Sequence, residues 1–207
     1  MTELLPIPAD DKRVNAKRLL RLRRDALIAN GANVHTLNEA GVNQNNSRSV
    51  EDIQFALKFP QNRPINGIDQ FIGMFDRVDN GKKLVAAAEV KPFDIKDLDR
   101  YLSPLEKLSL RLSDTYRSEI LHDNSIGIFA LVAEPVTTSS RPQTDMLSGL
   151  LRHVTERRVD IPGSTYIALA PTDPAREVVE GDGFEPINDR SAKYLGVPLT
   201  LFARHTT

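Results

Sequence analysis

Few side chains in this chain are placed to do chemistry. Glu89 lies in the apolar run KKLVAAAEVKP, where alternation puts Leu84, Ala86, Ala88 and Val90 on one face and Val85, Ala87, Glu89 and Lys91 on the other. A carboxylate there reads either as the proton acceptor of a site or, as burial statistics favour, as an edge or surface residue. Ser139, Ser140 and Arg141 in the run TTSSRPQ, and Thr144 just beyond it, offer hydroxyls and a guanidinium to an anion, Arg141 most strongly. The same run also reads as a surface loop in which Thr144 caps a following helix. The absence of cysteine excludes disulfides, thiolate catalysis and Cys-ligated zinc. His35, His122, His153 and His205 form no i,i+4 pair, and the chain has no Walker loop, no Gly-x-Ser-x-Gly and no His-Glu-x-x-His, so no metal is expected.

Seven of the thirteen residues from Lys12 to Arg24 are basic, with Arg13, Lys17, Arg21 and Arg24 at near-helical spacing. Such a stripe could follow a phosphate backbone. It lacks interleaved aromatics, however, and the net charge of −1 gives no global attraction to nucleic acid, so the stripe reads as a solvated helix face.

The elements that must hold these groups follow from periodicity. Residues 1–10 are proline-punctuated and extended. Residues 11–30 are helical, with Asp10 or Asp11 as cap, a Leu19, Leu22 and Ala26 stripe, and a stop at Asn30-Gly31. Residues 30–49 are rich in asparagine with little periodicity and read as a mobile loop. A short helix starting at Ser49 ends before Pro60. Residues 70–77 and 83–92 form a hairpin around Val78-Asp79-Asn80-Gly81, and the leucine stripe of 94–120 is helical. Then come an apolar strand at 126–133, a polar loop without glycine, a helix near 147–157, a second apolar strand at 166–170, and a short helix closing on Gly183-Phe184. Strand, helix, strand in this order demands a parallel pair joined by a crossover.

From the hairpin onward, over roughly residues 68–204, the chain resembles the GNAT superfamily of acyl-CoA-dependent N-acetyltransferases. GIFALVAEPV resembles the family's central strand, LSGLLRHVTERR the helix after its coenzyme loop, STYIALAP the next strand, and TDPAREVVEGDGF the closing motif, with Ala175, Gly183 and Phe184 in register. The resemblance implies a mixed, largely antiparallel α/β sheet flanked by helices, with 1–67 as an N-terminal helical segment of the same domain and 68–207 as the core. It also implies acetyl-CoA or another acyl-CoA as co-substrate, held by Val132, Ser139, Ser140, Arg141 and Thr144, and an amine acceptor, small molecule or protein, deprotonated with the help of Glu134.

Two departures from the family pattern stand out. The glycines that let a backbone approach a pyrophosphate are replaced by Pro142, Thr144 and Met146, or in a second register by Gln143, Asp145 and Leu147. The family tyrosine falls on Val179, which leaves Tyr166 and Tyr194 as the candidate acids among the later strands. A GNAT-shaped module without CoA chemistry is the second reading. At 207 residues and 40% hydrophobic composition the chain suits one globular domain. MTELLPIPADD lacks a secretory pattern, so a cytoplasmic protein is expected, with no membrane and no nucleic-acid partner, and with a homodimer left open.

Overall fold

The computed structural model describes residues 2–58, 71–79, 81–93, 125–135, 141–156, 165–187 and 193–205. The expected helix at 94–120 lies outside the described residues, as do Ser139 and Ser140.

A seven-stranded sheet forms the centre. Strands β1 (Thr2–Pro6), β2 (Phe71–Val78), β3 (Gly81–Pro92) and β4 (Ser125–Ala133) follow one another antiparallel. β5 (Thr165–Ala170) then lies parallel to β4, β9 (Thr200–His205) returns antiparallel, and β6 (Glu185–Pro186) closes the edge. β7 (Lys193–Tyr194) and β8 (Val197–Pro198) make a separate small hairpin. The mixed, largely antiparallel sheet and its parallel β4–β5 pair are as expected, and β1 adds a strand from the extended N-terminus.

Helices cover both faces. On one, α4 (Gln143–Glu156) and α5 (Asp173–Gly181) bury Leu147, Leu150, Leu151, Val178 and Val179 against Ile72, Val85, Ile126 and Ile128. This is the return path that the parallel β4–β5 pair needs. Thr172 caps α5 by accepting a hydrogen bond from the Ala175 amide at 3.3 Å, and Gly183, at φ 80°, ends it so that Phe184 turns into the core. On the opposite face α1 (Val14–Ala29) packs Leu19, Leu22 and Ala26 on Phe71, Phe75, Ala87 and Val132. The Asp10 carboxylate accepts from the Val14 and Asn15 amides at 2.7 and 2.9 Å, so the expected acidic cap is present one turn ahead of the helix. Among the described residues no helix is long and apolar enough to cross a membrane.

Residues 30–49 correct the expectation of a loop. They contain α2 (Val34–Glu39) and the start of α3 (Ser47–Lys58), and their asparagines serve as turn and cap residues. Asn33 accepts from the His35 amide at 2.7 Å and Asn46 from the Arg48 amide at 2.9 Å, while Leu37 is fully buried. Asn46 rather than Ser49 therefore caps α3.

Strict alternation fails at two bulges. Met74 pairs with Ala86 but Phe75 with Leu84, leaving Val85 as an extra residue. Leu84 thus faces α1 and Val85 faces α4, the reverse of the simple period-2 reading. The second bulge lies in β4, where Phe129 pairs with Glu89 and Val132 with Ala87. Ala130 and Leu131 together oppose Ala88, and Ala130 takes a left-handed φ of 49°. Without this insertion Leu131 would face α1 and Val132 the α4 core; with it, Val132 and Glu134 face α1.

A left-handed alanine costs about 1–2 kcal/mol, whereas glycine adopts this φ freely at an unfolded-state entropy cost of about 0.5–1 kcal/mol. Ala130→Gly is therefore expected to hold or raise stability by up to about 1 kcal/mol, and β-branched Ala130→Val to lower it by about 1–3 kcal/mol. Urea denaturation of both variants checks this, and equal stability of the valine and glycine variants would contradict the bulge.

Candidate functional site

The ladder between β4 and β5 runs from Ser125↔Thr165 to Ile128↔Ala168 and stops there, although β4 continues to Ala133. The two strands part at the bulge, and the edge of β4 from Ala130 to Val132 faces the gap. Two cavities meet at Val132. One, of about 90 Å³, lies on the α1 face, with apolar walls from Leu27, Phe129, Leu169 and Leu199. The other, of about 80 Å³, runs from Val132 and Ala133 past Gln143 of α4 to Thr172 and Pro174 at the start of α5, with the last turns of α1 over it.

The larger cavity gathers Arg23, Glu89, Lys91 and Tyr194. Arg23 reaches in from α1 and donates to the Glu89 carboxylate at 2.6 Å, both side chains being mostly buried. The buried Nε of Arg23 has no hydrogen-bond partner. The Lys91 ammonium sits 4.2 Å from the centre of the Phe129 ring, a cation–π contact. Tyr194 comes from the β7–β8 hairpin; burial pushes its phenol above the ordinary value of 10, Arg23 opposing and Glu89 reinforcing the shift, so the hydroxyl is protonated at neutral pH.

Glu134 lies just past β4 and is 4% exposed. Its amide donates to the Val85 carbonyl at 2.8 Å, which continues the β3–β4 ladder by one bond. Its Oε1 accepts from Arg18 of α1 and from Lys83 of β3, the latter at 2.9 Å, and Arg18 also donates to the Leu84 carbonyl at 3.0 Å. Burial pushes the Glu134 carboxyl up, but the hydrogen bonds from Lys83 and Arg18 outweigh it and hold the group below its ordinary value of 4.5. A carboxylate clamped by two cations keeps its charge and ties α1 to the sheet through Oε1, while its buried Oε2 has no hydrogen-bond partner.

The other candidate residues fall as follows. Val132 is buried where the two cavities meet. Arg141 is exposed two residues ahead of α4. Thr144 is the second residue of α4, not its cap; Pro142 precedes the helix and its carbonyl accepts from the Met146 amide at 3.4 Å. The amides of residues 143–145 thus form the first turn, where helices leave N–H groups without intrahelical acceptors, and Asp145 is exposed in that turn. The Gln143 side chain donates to the Ala133 carbonyl at 3.2 Å, tying the helix start to the end of β4. Tyr166 is fully buried with its hydroxyl on the Thr155 carbonyl at 3.4 Å, a packing residue. Val179 is fully buried in the core. Among the described residues no cluster of potential metal ligands occurs.

The basic run of α1 thus has two roles that its composition does not separate. Arg21 pairs with Asp25 and Arg13 with Glu51 near the surface, while Arg18 and Arg23 point at the sheet. These two inward arginines went unrecognised in the sequence; their signal was their place beside Leu19 and Leu22 on the packing side of the helix.

Glu134→Gln keeps the shape but removes the charge that Arg18 and Lys83 share, and is expected to lower stability by about 1–3 kcal/mol at neutral pH, Lys83 being partly solvated. Because the folded carboxyl lies below 4.5, its contribution is present above that value and is lost as pH falls through the folded one. The gap between wild type and variant in urea denaturation should therefore close in acid; a gap that is constant with pH would contradict the assignment.

No family model matches the chain, and no curated protein matches it by sequence. Solved structures do match. The PaiA N-acetyltransferase of Thermoplasma acidophilum, in complex with coenzyme A, aligns over 99% of this chain and 99% of its own, with a TM-score of 0.54 at 11% identity. A GCN5-related N-acetyltransferase from Ralstonia eutropha JMP134 aligns over 95% of this chain and 100% of its own, with a TM-score of 0.54 at 14% identity. A GNAT-family acetyltransferase from Streptococcus pneumoniae covers both chains fully, with a TM-score of 0.53 at 9% identity. With its parallel pair parting at a bulge, its helix returning from the end of β4 and its closing Gly183-Phe184 turn, the chain has the fold of the GNAT N-acetyltransferases.

Proposed function

We propose that the chain is an acyl-CoA-dependent N-acyltransferase that moves an acetyl or longer acyl group onto an amine by direct attack. The observation that carries this reading is the open edge of β4 from Ala130 to Val132, placed where two cavities meet. The groups around the smaller cavity fit a CoA ester: a strand edge suits its amide-bearing arm, and the first-turn amides of α4, with Thr144 and Arg141 beside them, suit its pyrophosphate. Ser139 and Ser140 are proposed for the same anion on their side-chain chemistry alone. When bound, acyl-CoA supplies an acyl group activated as a thioester, whose C–S bond breaks as a C–N bond forms.

The protein's own part is to orient the amine, exclude water and manage its proton. Glu89 is proposed for the proton in place of Glu134, because Glu89 lines the larger cavity while Glu134 is held by Arg18 and Lys83. The protonated Tyr194 phenol, in the same cavity, is the candidate donor to the leaving sulfur. The second reading, a module without CoA chemistry, is favoured by buried Val179 in place of the family tyrosine and by Asp145 in the first turn of α4.

Thiol release from acetyl-CoA with a panel of small amines tests the proposal. Glu89→Gln is expected to lower kcat by about 10²-fold or more, as loss of a general base does, with acetyl-CoA affinity unchanged. Arg141→Ala is expected to weaken acetyl-CoA binding by about 10- to 150-fold, the loss of one charge-assisted hydrogen bond. Full activity of Glu89→Gln would remove that residue from the chemistry, and absence of any acetyl-CoA affinity at millimolar concentration would favour the non-catalytic module.

A further inference from the structure

The larger cavity is not a neutral apolar slot. Among the described residues its charged groups are Arg23, Glu89 and Lys91, set in walls of leucine, valine and phenylalanine, so the described lining carries one more positive than negative charge. Glu89 is matched by Arg23 at 2.6 Å. Lys91 makes no ion pair with any described carboxylate, and its ammonium lies over the face of Phe129 at 4.2 Å. A second donor, the buried Nε of Arg23, has no hydrogen-bond partner. The buried Arg23 Nε raises the energy of the empty cavity unless a ligand satisfies it, and Lys91 at the same cavity offers a cation to an anionic group.

Phe129 is fixed in its place by the backbone beneath it. A Cβ on Gly127 would lie 2.1 Å from the Phe129 ring, so the glycine lets the ring lie flat on the strand and carry the Lys91 contact. Phe93 stacks beside that ring, with centroids 6.1 Å apart. Lys91 and Glu89 stand two residues apart on one face of β3, so a ligand that spans both carries its two charges a few atoms apart.

We infer that this cavity binds a small amine that also carries a carboxylate, an amino-acid-like zwitterion, with its ammonium at Glu89 and its carboxylate at Lys91. The inference rests on the reading of the cavity as the acceptor site, and it narrows the acceptor from amines in general to this class. Size agrees. At about 10–15 Å³ for each water-sized position, 90 Å³ holds about six to nine such positions, the scale of a small amino acid. An amine without the anion would leave Lys91 without a carboxylate partner, and would add its own positive charge to a described lining that already carries one in excess.

The test separates this inference from the acyltransfer reading because it needs no acyl-CoA. Saturation-transfer NMR on the full chain compares valine with isobutylamine, the same amine without its carboxylate. Wild type is expected to prefer valine, and Lys91→Gln to reduce that preference about tenfold or more, the size of one charge-assisted hydrogen bond, with an unchanged urea midpoint. Gly127→Ala, which displaces Phe129, is expected to reduce the preference as well. Equal or tighter binding of isobutylamine by wild type, binding of neither, or a preference that survives Lys91→Gln would overturn the inference. Acetyl-CoA affinity, measured separately, decides the acyltransfer reading on its own.

Discussion

One extra residue in β4 sets the parity of everything after it. Because side chains alternate along a strand, inserting Ala130 moves each later residue of β4 to the opposite face. Leu131 and Ala133 then join the α4 core, and Val132 and Glu134 turn towards α1. The same insertion coincides with the end of the β4–β5 ladder at Ile128↔Ala168, so the strand that changes parity is also the strand that parts from its parallel neighbour. The left-handed φ of a non-glycine residue is a local cost, held by the well-packed ladder on the β3 side and the buried helices on both faces.

Once Glu134 faces α1, it requires a positive partner there. Arg18 supplies it with Lys83, and one turn and a half further along the same helix Arg23 meets Glu89. The two pairs link α1 to β3 and to the end of β4, on either side of the gap's α1 face. They differ in what else they touch. Glu134 is enclosed and holds two cations, whereas Glu89 holds one and borders the larger cavity. Buried ion pairs of this kind contribute little net stability but penalise the wrong arrangement severely, and here they fix how α1 lies over the gap.

Much of the frame was legible in the sequence, for reasons that belong to particular residues. The apolar runs at 126–133 and 166–170 with a helical stretch between them implied a parallel pair, and Gly183 before buried Phe184 marked the end of α5. The bulges at Val85 and Ala130 were not legible, since neither carries the glycine that flags a change of parity. Lacking them, alternation misplaced Leu84 and Val85, though it grouped Ala87, Glu89 and Lys91 correctly. The asparagines of 30–49 looked like loop composition because capping and looping use the same residue types. Arg18 and Arg23 were hidden in a run of seven basic residues whose surface members share their chemistry. Glu134 was visible as a carboxylate after a strand, but the cations that clamp it come from 116 residues away in α1 and from β3, beyond any local reading.

The gap beside β4 is the proposed site for acyl-CoA. Amide hydrogen exchange with and without millimolar acetyl-CoA tests this most directly, because it reports on the backbone edge of the gap itself. Protection is expected at Ala130 to Val132 and in the first turn of α4 at residues 143–145, with β1 and β2 unchanged. Exchange that is unaltered at both places, or protection confined to other parts of the sheet, would contradict it.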